Sequence, residues 1–140
     1  MWKKNLNINV TLQNQEWKVY LDRQREMDYQ VSRAGWTGDY PDPNTFLDMW
    51  TSWSQQNQTG WSKPEYDALI RKAAVTKDPA ARLEVFQQAE EILMDELPII
   101  PIYIYTRVYA LHPAVKNWHA NVLDHHPWKH VDLDLSKLKE

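Results

Sequence analysis

Within the stretch "RAGWTGDYPDPNTFLDMW" (residues 33–50), Arg33 and Asp39 carry opposite charges on either side of a glycine-flanked tryptophan, Trp36. Six residues of extended chain span at most about 20 Å, and a turn around Gly35 and Gly38 shortens that distance. A short extended peptide fits such a gap. Its ammonium would meet Asp39 and its carboxylate Arg33, both through the stronger, charge-assisted kind of hydrogen bond. The backbone of residues 34–37 could pair with the peptide main chain as an added strand does, and Trp36 would wall a side-chain pocket. The same two charges would equally serve as an ion pair, with each other or with neighbouring loops. The spacing alone leaves both readings open.

Other chemistries fit less well. Asp39 and Asp42 stand three apart and could be read as a general acid and base, but Asp42 precedes Pro43 as a helix N-cap. No Ser, Cys or His lies nearby to complete a nucleophilic set, so an enzyme is the weakest reading. His126 and His130 have the i, i+4 spacing of metal ligands on a helix, yet Pro127 between them spoils a regular helix interior. The late histidines (112, 119, 125, 126 and 130) read as surface or interface residues rather than as a metal site, and no cofactor is implied.

The elements that must position Arg33, Trp36 and Asp39 follow from periodicity. "LNINVTL" (6–12) alternates as a half-buried strand. From Asn14 as N-cap, a helix carries Trp17, Tyr20, Leu21 and Met27 on one side, and residues 29–33 alternate again. Strand, helix, strand predicts a βαβ unit with a parallel pair, and the loop from 33 leaves the C-terminal end of its second strand, where ligands bind in open α/β sheets. A helix then opens at Asp42 and Pro43. "SKPE" (62–65) matches a capping box ahead of Tyr66, Leu69, Ile70 and Ala73. Asp78 and Pro79 open a further helix with a ridge of Leu83, Phe86, Glu90, Leu93 and Leu97. "PIIPIYIYTRVYAL" (98–111) predicts one or two buried strands, and the last thirty residues fit no template and look in need of something else to pack on.

Composition bounds these readings. The chain of 140 residues suits one folded unit or a piece of one, and 16 basic against 19 acidic side chains give a net charge of −3, which argues against nucleic acid as a partner. Zero cysteines exclude disulfides and thiolate sites. The longest apolar run holds two prolines and is far short of the roughly 20 residues of a membrane span. Asn5, Asn7 and Asn9 interrupt any apolar core of an export signal at the start of the chain. Eight tryptophans and seven tyrosines against two phenylalanines suit a surface that is both sticky and wet.

The blocks "RAGWTGDYPDPNTFLDMW", "TGWSKPEYDALI", "AEEILMDELPIIPIYIYTRVYAL" and "PAVKNW" closely resemble, in order, the C-terminal part of the oligopeptide-binding proteins of bacterial ABC importers. The resemblance implies that Asp39, in the "GDY" position, holds a peptide's amino terminus, and that Arg33 takes the carboxylate of a short peptide. Gly35 and Thr37 would pair with the peptide backbone, and Trp36 would line a side-chain pocket. It implies an α/β fold, a mixed-sheet lobe of a two-lobed solute-binding protein, with residues 1–97 in the ligand-binding lobe and 98–140 a return segment toward the first lobe. Members of the family are several times longer and carry an export signal, so the chain reads as the end of such a protein. The implied partners are short peptides and, through the full-length protein, permease subunits of the importer. The implied setting is periplasmic or extracellular, and the chain alone is expected to bind weakly and to self-associate. A relative binding a metal chelate, haem or a sugar, and a non-transport interaction module, are the competing readings.

Overall fold

The structure, a computed structural model, describes residues 1–138, which fall into two compact units: Met1–Ala34 with Gln58–Gly60, and Gly35–Asn57 with the chain from Trp61 onward. In the first unit, α1 (Trp2–Leu6) ends at Asn7, whose left-handed φ of 55° is the backbone state that asparagine tolerates best among residues with a Cβ. The expected strand over 6–12 does not form. Ile8 and Val10 are each 48% exposed and Leu12 is 91% exposed, so the alternating face finds no core, and an unpaired strand is not stable in water.

Helix α2 (Trp17–Arg25) begins two residues later than Asn14 would set it, because the Glu16 carboxylate accepts from the amides of Lys18 (2.9 Å) and Val19 (3.2 Å). The return after α2 is tied by side chains rather than by a ladder. The Tyr20 hydroxyl donates to the Arg33 carbonyl (2.7 Å), Gln24 Nε2 to Ser32 Oγ (2.9 Å), and the Tyr29 hydroxyl to the Gln58 carbonyl. With neither strand present, the predicted βαβ unit is absent from the described residues.

The second unit is built on two packed helices. Helix α3 (Asn44–Leu47) runs directly into a 3-10 turn, Asp48–Trp50, followed by α4 (Pro64–Val75) and α5 (Pro79–Glu96). Asp78 caps α5 as its position before Pro79 predicts, accepting from the Ala81 amide (2.8 Å). The capping box at 62–65 does not close. The N-cap of α4 is Lys63, without a side-chain bond, and its ammonium pairs with Glu96 instead. Leu47, Tyr66, Ile70, Ala73, Val85, Phe86, Ala89 and Leu93 form the core. Of the predicted α5 ridge, Phe86 and Leu93 are buried, whereas Leu83 and Leu97 are more than half exposed. The stripe is rotated because Val85 and Ala89, small enough for close approach, face α4.

Beyond Ile99, which packs on the core, the predicted strands over 98–111 are absent. No strand is formed over these residues, and Ile104 and Val108 are 92% and 93% exposed. Two-residue strands β1 (Val115–Lys116) and β2 (Asp132–Leu133) pair antiparallel, Val115 opposite Leu133. The last segment supplies some of its own packing. Trp118 stacks on His126 at 3.7 Å, with Tyr109 and Trp128 edge-on to Trp118, and Asp124 bonds both His126 (2.9 Å) and Arg107 (3.1 Å).

Candidate functional site

The loop of residues 35–43 is fixed to α3 at both ends. The Asp39 amide donates to Oγ1 of buried Thr45 (3.0 Å), and a Cβ on Gly38 would lie 3.0 Å from the Phe46 ring and 3.1 Å from the Thr45 methyl. A side chain there would need the half-exposed Phe46 ring and the Thr45 methyl to give by a few tenths of an ångström. At the far end, α3 starts one residue later than expected, with Pro43 rather than Asp42 as its N-cap, and Asp42 Oδ1 accepts from the Asn44 amide (2.9 Å) from the position before the cap. Arg82 grips the same carboxylate with both terminal nitrogens (2.5 and 3.0 Å), donates through Nε to the Ala73 carbonyl (3.2 Å) and lies over the Phe86 ring at 4.5 Å. The Arg82 hydrogen bonds hold the Asp42 carboxyl below its ordinary pKa, outweighing the opposing effect of burial. Asp42 is therefore a structural residue.

The opposite wall is assembled by side-chain bonds, most of them between residues close in sequence and one pair fifteen residues apart. Thr51, fully buried, donates to the Asp48 carbonyl (2.8 Å), and the Asn57 amide reaches the carbonyls of Trp50 (3.1 Å) and Trp61 (2.9 Å). Asp67 accepts from both the amide and the hydroxyl of Ser52 (3.0 and 2.5 Å), and Arg71 covers a face of Trp53 at 4.2 Å. The result is a cavity of about 310 Å³ lined by Trp36, Asp39, Tyr40, Asp48, Met49 and Trp53, among others.

Trp36 and Asp39 thus share one cavity. Gly35 and Thr37 flank Trp36 and are exposed, and among the described residues the backbone of 35–37 makes no hydrogen bond. No described residue donates to the exposed Asp39 carboxylate or pairs with it. Arg33 is exposed and belongs to the first unit, where its carbonyl is held by Tyr20. Reading the sequence missed Asp48 and Trp53. The Asp48 carboxylate takes a bond from Asn44 Nδ2 (2.9 Å), which also donates to the Tyr40 hydroxyl (3.0 Å), so the i, i+4 spacing of Asn44 and Asp48 was the available signal. Burial raises the Asp48 carboxyl pKa, with the negative charge of Asp39 adding to it, against the bonds from Asn44 and Tyr40.

Residues 1–58 match the family described as Bacterial extracellular solute-binding proteins, family 5 Middle. The chain is 44% identical over 111 residues to the oligopeptide-binding protein OppA of Bacillus subtilis, covering 79% of this chain and 20% of that protein. It is 42% identical over 121 residues to the periplasmic murein peptide-binding protein MppA of Escherichia coli, covering 86% and 22%. A crystal structure of Haemophilus influenzae OppA in complex with RPPGFSPFR superposes with a TM-score of 0.83 at 35% identity, covering 94% of this chain and 26% of that one. The chain spans about a fifth of the length of the curated relatives it matches. Its fold class is that of a part of these two-lobed α/β proteins, although the sheet content among the described residues is a single short pair.

Proposed function

The chain belongs to the bacterial extracellular solute-binding proteins of family 5, and from that premise we propose that it carries one wall of a peptide-binding site serving uptake through an ABC importer. The observation that carries this reading is the Asp39 carboxylate, held at an aromatic cavity by the Thr45 bond to its amide and left without a cation among the described residues. A peptide ammonium is the group that such a carboxylate lacks. Trp36 lines a side-chain pocket beside it, and the unbonded backbone at Gly35 and Thr37 supports strand-like pairing with an extended ligand. Arg33 receives the carboxylate of peptides short enough to reach it. Residues 98–140 form the return segment toward the other lobe, and the importer's permease subunits are the partners of the longer protein, in a periplasmic or extracellular setting.

The test is a titration of the labelled chain with a tripeptide and its N-acetylated form, followed by the backbone NMR signals of residues 35–40. Acetylation of the ligand, and Asp39→Asn in the chain, should each remove on the order of 1.5 to 3 kcal/mol, roughly a ten- to hundredfold loss of affinity. Unchanged affinity in both experiments would overturn the amine-anchor role.

A further inference from the structure

The cavity beside Asp39 contains a feature that binding one ammonium does not use. It holds a second carboxylate, Asp48, and no lysine, arginine or histidine is among its lining residues. Asp48 Oδ2 accepts from Asn44 Nδ2, and no described residue brings it a cation. Trp36, Tyr40 and Trp53 add aromatic surface, and Met49 adds a flexible apolar edge. Arg71, which lies over a face of the lining residue Trp53 at 4.2 Å, is engaged there.

Resting on the peptide-site reading above, we propose that Asp48 is a specificity-determining residue that makes this cavity a pocket for a second positive charge, so that peptides with a basic first residue are preferred. The chemistry is complementary at each point. A peptide beginning with lysine or arginine presents its ammonium to Asp39 and, a few methylenes away, a second cation to Asp48. The aliphatic stem lies along aromatic and thioether surface while the charged head stays paired. Two carboxylates sharing a partly buried cavity repel each other, and a dication relieves that repulsion where a neutral side chain cannot. The raised carboxyl pKa of Asp48, caused by burial and by Asp39, fits a site that lacks its counter-charge.

The probes are Lys-Ala-Ala and norleucine-Ala-Ala, which share the amino terminus and differ in the terminal ammonium of the first side chain. The wild-type chain should bind the lysine peptide about tenfold more tightly, the scale of one partly screened ion pair with an aromatic contribution. Asp48→Asn, which keeps an acceptor for Asn44, should reduce that ratio to near unity, whereas Asp48→Glu should keep the preference. Equal affinities of the wild-type chain for the two peptides would overturn the proposal without need of any variant. A ratio that survives Asp48→Asn in a folded protein would overturn it as well. Acetylated peptides separate the two readings. If acetylation weakens binding but the lysine preference is absent, only the role of Asp48 falls; if acetylation changes nothing, the amine anchor falls and takes this inference with it.

Discussion

Asp42 shows how one side chain can fix the loop beside the candidate cavity without lining it. Its carboxylate accepts from the Asn44 amide and receives both terminal nitrogens of Arg82, so the charged form is favoured in the folded chain and its pKa lies below the ordinary value of 3.8. A depressed folded pKa means that the unfolded chain binds more protons in that range. The stabilisation is therefore complete above the unfolded pKa and is lost as pH falls through the folded one. Asp42 and Arg82 are both about 70% shielded from solvent, so Asp42→Asn should cost on the order of 1 kcal/mol near neutral pH. The gap between wild type and variant should close in strong acid. Urea unfolding followed by tryptophan fluorescence at neutral and acid pH checks this, and a gap of the same size at both would show that the fork contributes nothing through charge.

At the scale of elements, the helices of the second unit should be the stable part. Amides in the interior of α4 and α5 lie over a closed core, whereas residues 98–111 make no ladder, so hydrogen exchange should be slow in the first and rapid in the second. Comparable protection across 98–111 would mean that those residues are paired in solution. The contrast also explains what the sequence makes legible. Helix α5 could be read because the signal that starts it, Asp78–Pro79, acts within a turn, and α4 because the spacing of Tyr66, Ile70 and Ala73 needs no distant partner. The capping box failed because α4 starts with Pro64 at its first position and Lys63 as N-cap, which leaves Ser62 one residue outside the cap. The strands at 6–12, 29–33 and 98–111 failed for another reason: alternation describes a face, and a strand exists only when another backbone meets it. In the site, Trp36 and Asp39 were legible from the glycines and charges around them. Asp48 and Trp53 were not, since their wall depends on Asp67, which holds Ser52 from fifteen residues away.

For the whole molecule, the distribution of apolar surface predicts association. Ile100, Ile102, Tyr103, Ile104 and Val108 are all more than 60% exposed along one stretch that forms no strand, the combination that recruits another chain. We expect the 140-residue chain to self-associate through residues 98–111. Sedimentation velocity should show a mass that rises with concentration, and replacing Ile104 and Val108 by lysine should return it toward a monomer. A compact monomer at every accessible concentration would show that this stretch is covered in solution by the chain itself.

The fork between Arg82 and Asp42 joins positions forty apart in sequence, and this carries a consequence for how the two can change over generations. If Asp42 is replaced first, the guanidinium keeps only the Ala73 carbonyl and the Phe86 ring, and a shielded cation stands without its counter-charge. If Arg82 is replaced first, the carboxylate still accepts from the Asn44 amide at the start of α3, and the loss is smaller. Inherited substitutions at the pair should therefore come in a preferred order, Arg82 before Asp42. Lineages with a neutral residue at 42 and arginine at 82 should be rarer than those with aspartate at 42 and a neutral residue at 82.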